Sequence, residues 1–314
     1  MRLSVLDQVP VTEHTPCTSA ASSALRLAVE AEELGYHRIW FAEHHASATF
    51  AGTAPEIMTA LALERTRHIR VGTGGILLPL YPVNKVREVV TLLDDVHPGR
   101  IDLGVGRAAF DDPRYGEKIE VLTGVLGPHA ATEEPAGRVW VLGAGGSAAA
   151  LAGTLGAGYA HGHFFVPRGG ELATTAYREA AARAGRGAHT LLAVRAVTAP
   201  TAAEAAALAR AMVWWRVRKD LGDERPVPSV ERVRRHRWTE AERTRAQARS
   251  HGVVFGTPQE VGVELRALAA AHGADEIVVN TLVSDPEDRH RSYRLLAEEF
   301  REGGHEEPGK ADNS

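Results

Sequence analysis

The sequence predicts a (β/α)8 barrel carrying an insertion between its seventh and eighth strands. Three observations lead there. Short β-branched runs alternate with longer amphipathic segments along almost the whole chain, the runs number eight, and 314 residues suffice for a barrel with insertions. Parallel strands need a crossover helix between them, so this alternation builds a parallel sheet with helices outside it. An open doubly wound sheet is the alternative architecture, and the count of eight favours the barrel. Residues 1–302 are expected to form one domain, with 221–250 as its insertion and 303–314 as a disordered polar tail.

The elements follow in order. The run RLSVL (2–6) leads to a helix over 19–34, which Gly35 ends as a C-terminal glycine should. RIWFA (38–42) precedes a helix over 54–66. IRVGTGGIL (69–77) precedes one over 83–95, closed by His97-Pro98-Gly99. RIDLGVG (100–106), VWVL (139–142) and YAHGHFF (159–165) lead to helices over 114–126, 147–155 and 169–184. TLLAVRAV (190–197) precedes a helix over 201–220. The insertion mixes many arginines with glutamates, which suits a solvated helical surface better than an anion site. Thr257 and Pro258 then supply the cap and first turn of a helix over 258–272. EIVVNT (276–281) is the eighth strand, and a last helix covers 287–301.

Composition removes several function classes. A formal net charge of -4 gives no basic field for nucleic acid or a membrane surface. The lone Cys17 makes neither an internal disulfide nor a cysteine metal site and suits a reducing compartment. Asp7, Pro10 and Glu13 interrupt the first apolar run, so it reads as no signal peptide. No stretch approaches the roughly 20 apolar residues of a spanning helix. A cytoplasmic location is the expectation.

Catalytic residues of such barrels sit where strands end. The second run ends in Glu43-His44-His45. Strand alternation sends neighbouring side chains to opposite sides, so one histidine is expected to face the mouth and the other to pack or hydrogen-bond behind it. Imidazole moves protons near neutral pH. Two adjacent histidines lack zinc-ligand spacing, so no metal is expected. Gly72, Gly74 and Gly75 interrupt the third run, as a barrel bend does, or as a backbone does where a flat ring approaches it. Arg107 follows the fourth run and suits a phosphate or carboxylate, a surface salt bridge being the common alternative. The fifth ends in Gly143-Ala144-Gly145-Gly146-Ser147, a turn whose backbone N–H groups open a helix and attract phosphate. It lacks the Lys-Ser/Thr pair of a P-loop and does not follow the first strand, as a dinucleotide fingerprint should. Together these strand ends suit one flat, phosphorylated cofactor. Trp214, Trp215 and Trp238 near the insertion are expected to pack rather than cover a ligand.

The stretches SVLDQVPV, AEELGYHRIWFAEHH, RVGTGGILLPLYPVNKVREVVTLLDDVHPGRIDLGVGRA, VWVLGAGGSAAALAGTLGAGYAHGHFF and VVFGTPQEVGVELRALAAAHGADEIVVNT resemble the bacterial luciferase-like flavin monooxygenase family. The resemblance implies the same barrel. It also implies a two-component enzyme that takes reduced FMN from a separate flavin reductase. With O2 as co-substrate, a flavin C(4a)-hydroperoxide then oxygenates a small or medium organic substrate. Residue by residue, it makes His44 the proton-transfer group and sets a cis peptide of Gly74-Gly75 against the isoalloxazine ring. It gives the phosphate to Arg107 and to the loop of Gly143, Ala144, Gly145, Gly146 and Ser147. A homodimer through the helices beside strands two and three is also implied. The chain departs from the pattern in the phosphate loop, where Ser147 is the one hydroxyl, in a shortened link after Arg107, and at Leu80, where a polar residue is expected. A deazaflavin-dependent hydride-transfer oxidoreductase and a non-catalytic flavin-binding relative are the alternatives.

Overall fold

A computed structural model describes residues 1–126 and 137–302. All eight runs form parallel strands, and their pairing closes on itself. In chain order the strands are β1 (Arg2–Asp7), β2 (Arg38–Phe41), β3 (Arg70–Leu77), β4 (Ile101–Gly106), β5 (Val139–Gly143), β6 (Gly158–Gly162), β7 (Thr190–Thr198), β8 (Val254–Gly256) and β9 (Glu276–Asn280). Strands β1 to β7 pair in sequence, and β9 joins β7 back to β1, with Leu3 opposite Ile277 and Leu191 opposite Glu276. This is a closed eight-stranded (β/α)8 barrel.

β8 lies outside the ring and pairs with the far end of β7. The sequence does not announce it, because three residues are too short to carry a period. β6 also stops earlier than its run suggested. After Gly162 the chain turns back, with Phe165 N–H donating to Gly162 at 3.0 Å, and Phe165 is left 58 % exposed.

The helices are α1 (Cys17–Glu33), α2 (Pro55–Leu63), α3 (Val83–Val96), α4 (Tyr115–Thr123), α5 (Gly146–Leu155), α6 (Glu171–Arg183), α7 (Ala202–Asp220), α8 (Val230–Arg235), α9 (Glu240–Ser250), α10 (Pro258–His272) and α11 (Pro286–Glu302). Thr257 caps α10 in a capping box with Glu260. The insertion holds α8 and α9. Trp214 and Trp215 are buried beneath it, Trp215 against Phe50 at 5.7 Å between ring centres. The expected tail and the shortened link after Arg107 fall wholly or partly outside the described residues.

Inside the barrel, the lower half is ionic. Arg38 donates from Nε and Nη2 to both oxygens of Glu276, at 2.8 and 3.0 Å, and from Nη1 to Asp102 at 2.8 Å. Trp40 Nε1 also donates to Asp102, at 3.0 Å, and Arg70 pairs with the same carboxylate. Arg38, Asp102 and Glu276 are fully buried. Above them Leu6, Trp40, Trp140, Ala160, Ala193 and Val278 form an apolar layer that separates this cluster from the barrel mouth.

Candidate active site

The C-terminal strand ends surround a cavity of about 720 Å³. This volume lies in the range of roughly 300–1,000 Å³ usual for cofactor and small-molecule sites. Part of the apolar layer, including Leu6, Trp40, Ala160 and Val278, forms its floor.

β2 ends at Phe41, and the chain bends through Ala46 at φ 49°. Strand alternation therefore stops before the two histidines, and both line the cavity. His45 does hydrogen-bond to Glu43, but it is exposed rather than packed behind its neighbour. His44 is the enclosed one. Its backbone N–H donates to Gly52 at 2.7 Å, and its ring lies against Phe50 with centres 4.3 Å apart. Gln8 Nε2 stands 3.4 Å from His44 Nε2, while Nδ1 is buried without a described partner. Burial holds the His44 pKa down to about 4, helped by the charge on Lys219 and opposed by Glu224. The imidazole is neutral at physiological pH.

Glu43 is the residue that sequence reasoning passed over. Its buried carboxylate accepts from Leu77 N–H at 2.7 Å and from the Tyr81 hydroxyl at 2.6 Å. One side chain thus ties the end of β2 to the end of β3. Burial and this carboxylate push the Tyr81 hydroxyl pKa well above its ordinary value. The signal was an acid directly before two histidines.

Gly74 and Gly75 line the cavity, and the peptide between them is cis. A Cβ on Gly74 would stand 2.7 Å from Leu6 Cδ1, and one on Gly75 would stand 2.7 Å from the Gly104 carbonyl oxygen. Gly72 answers to packing alone, since a Cβ there would meet the Asp102 carbonyl oxygen at 2.3 Å.

Arg107 follows β4, lines the cavity, and makes no side-chain hydrogen bond or ion pair with a described residue. Gly143, Ala144, Gly145 and Ser147 share the same wall, whereas Gly146 opens α5 just behind it. The N-terminus of α5 has no side-chain cap, and a Cβ on Gly145 would meet nothing within 4 Å. Free backbone N–H groups and a free guanidinium are what a phosphate dianion needs. Another part of the wall, beside Ser47, comes from further along the chain. Lys219 of α7 pairs with Glu224 at 3.2 Å, and Ser47 hydrogen-bonds to the same carboxylate. No local pattern could reveal these partners. Among the described residues, no group of three or more His, Cys, Asp or Glu side chains suits a metal ion.

A second set of neutral histidines lies at β6. Burial holds His161 and His163 down to about 4 each, with repulsion from His272 adding to both and that of His163 adding at His161. Unfolding returns them toward about 6.5, so below that pH the unfolded chain binds more protons. Stability is therefore full above pH ~6.5 and falls as the pH drops toward ~4, by on the order of 3 kcal/mol per histidine. Urea melts across this window should show the loss, and His161→Asn should reduce it by one histidine's share.

No helix of the described residues is long and apolar enough to cross a membrane. The family model for luciferase-like monooxygenases matches residues 1–276. The chain is 35% identical to the uncharacterized protein YwcH of Bacillus subtilis (strain 168), covering 95% of this chain and 98% of that one. It is 30% identical to N-acetyl-S-alkylcysteine monooxygenase of the same organism, covering 95% and 98%. Among solved structures, apo-MsnO8 superposes with a TM-score of 0.80 at 33% identity, covering 96% of this chain and 97% of that one.

Proposed function

The chain belongs to the luciferase-like monooxygenase family, and on that premise we propose that it is an FMN-dependent, two-component monooxygenase acting on a small or medium organic substrate. The single observation that carries the flavin reading is that Arg107, Gly145 and Ser147, a cationic and N–H-rich wall, line the same cavity as an apolar floor. A phosphate fits the first and a tricyclic ring the second. Reduced FMN, delivered by a separate flavin reductase, would supply the electrons that activate O2.

The chain's own residues would do the rest. Arg107 and the start of α5 hold the phosphate, while Gly74 and Gly75 support the ring. Leu6, Trp40, Ala160 and Val278 keep water from the reacting face. His44, neutral and enclosed, moves a proton near the reacting atoms, and Phe50 and Gln8 fix its ring. Glu43 keeps the ends of β2 and β3 in register. A homodimer would fit the exposed apolar Ile57 and Leu61 of α2 and Leu92 and Val96 of α3, beside β2 and β3.

Anaerobic titration with reduced FMN and with reduced deazaflavin tests this function. Tighter binding of FMN is expected, and Arg107→Ala should weaken it about 10- to 100-fold, the value of one charge-assisted contact. Preference for the deazaflavin would move the chain to hydride transfer. Binding of neither would remove the flavin site.

A further inference from the structure

Arg195, on β7, is 6 % exposed, and no described carboxylate pairs with it. Its hydrogen bonds go to neutral groups: Nε donates to Asn280 Oδ1 at 3.2 Å and Nη2 to Gln8 Oε1 at 3.5 Å. The guanidinium lies 4.8 Å from the ring centre of Phe164 and 5.1 Å from that of Trp215, and Nη1 donates to no described residue. Arg216 is the charge that acts on it most, and it is of the same sign. Burial, helped by this repulsion, lowers the Arg195 pKa to about 9, which leaves a cation at neutral pH. Arg38 pairs with Asp102 and Glu276, Arg289 with Asp7, and Arg138 with Asp94, whereas the equally buried Arg218 donates to the Pro226 carbonyl. A buried guanidinium without a counter-ion costs stability.

The position of Arg195 gives that cost a use. Ala193, two residues earlier on β7 and so on the same face, lines the cavity, as do Gln8 and Phe164. The guanidinium stands directly behind Gln8 and Phe164, one side chain back from the cavity, on the arc of β7, β9 and β1. Arg107 and α5 lie across the ring, after β4 and β5. The phosphate end and this cation are separate.

Resting on the flavin-site proposal above, we infer that Arg195 anchors a carboxylate on the organic substrate. Nη1 and Nη2 form the planar fork that meets two carboxylate oxygens. The Gln8 oxygen, at the long limit of a hydrogen bond, gives way to a charged acceptor. Phe164 and Phe165 border the apolar remainder.

Calorimetric titration of the full chain with hexanoate and benzoate, each against its amide, tests the inference. The acids should bind at least 10-fold more tightly than the amides. Arg195→Met should erase that preference, leave amide binding unchanged, and melt at a higher temperature than the parent, because an unpaired buried cation is gone. Should R195M fail to fold, Arg195→Gln takes its place with the same binding readings expected. The inference is overturned by equal binding of acids and amides to the parent. It is equally overturned by a preference that survives in the variant, or by a variant that loses reduced FMN, since Arg195 would then serve the flavin. Parallel FMN titration of the parent separates the two proposals. Carboxylate preference without FMN binding removes the flavin proposal and keeps the anion site, and the reverse pattern removes the anion site alone.

Discussion

His44→Ala should bind reduced FMN as the parent does and form oxygenated product about 10²- to 10⁴-fold more slowly, the usual contribution of a positioned acid or base. The expectation comes from a specific arrangement. The ring is pinned against Phe50, Gln8 meets one nitrogen, and the other is enclosed without a described partner. Nothing in that arrangement bears on the phosphate wall, so binding and turnover should separate. Product formed per reduced FMN, with a flavin reductase present, is the quantity to compare. A variant that turns over normally removes the assigned role. The parent should keep His44 in one protonation state throughout the neutral range, because burial holds its pKa down to about 4.

Arg38→Met should destabilise the fold by about 3–5 kcal/mol, the cost of breaking a buried ion pair from one side. The change leaves Glu276 without its bidentate partner and Asp102 with Arg70, Trp40 and Trp140. Urea unfolding gives the number. Arg38→Met with Glu276→Gln should recover part of the loss, because the second change removes the stranded charge. If the single variant unfolds with the parent's midpoint, the cluster adds nothing to stability.

The fold was legible because each inner strand is a short β-branched run with a helical segment behind it, and only β8 was too short to register. The site was legible in its positions but less so in its directions. The two histidines stand out in the sequence, yet alternation misplaces His45, because β2 ends at Phe41 and the regular strand stops before either of them. Nothing in the sequence separates Gly72 from Gly74 and Gly75, yet strand packing against Asp102 accounts for it. Lys219 and Glu224 reach the cavity only through the path of α7, which no spacing in the sequence records. The ionic cluster left a fainter trace. Arg38, Arg70, Asp102 and Glu276 each stand at or near the start of an otherwise apolar run, and four such charges at one end of a barrel need one another.

The apolar layer between the ionic cluster and the mouth has a consequence for how such a chain can change. Leu6, Trp40, Trp140, Ala160, Ala193 and Val278 insulate the folding half of each strand from the half that meets ligands. Replacements at the rim are screened from the buried charges beneath. A lineage can therefore exchange loops, and with them substrates, without renegotiating its foundation. Variation concentrated above this layer and constancy below it is the pattern such a partition favours.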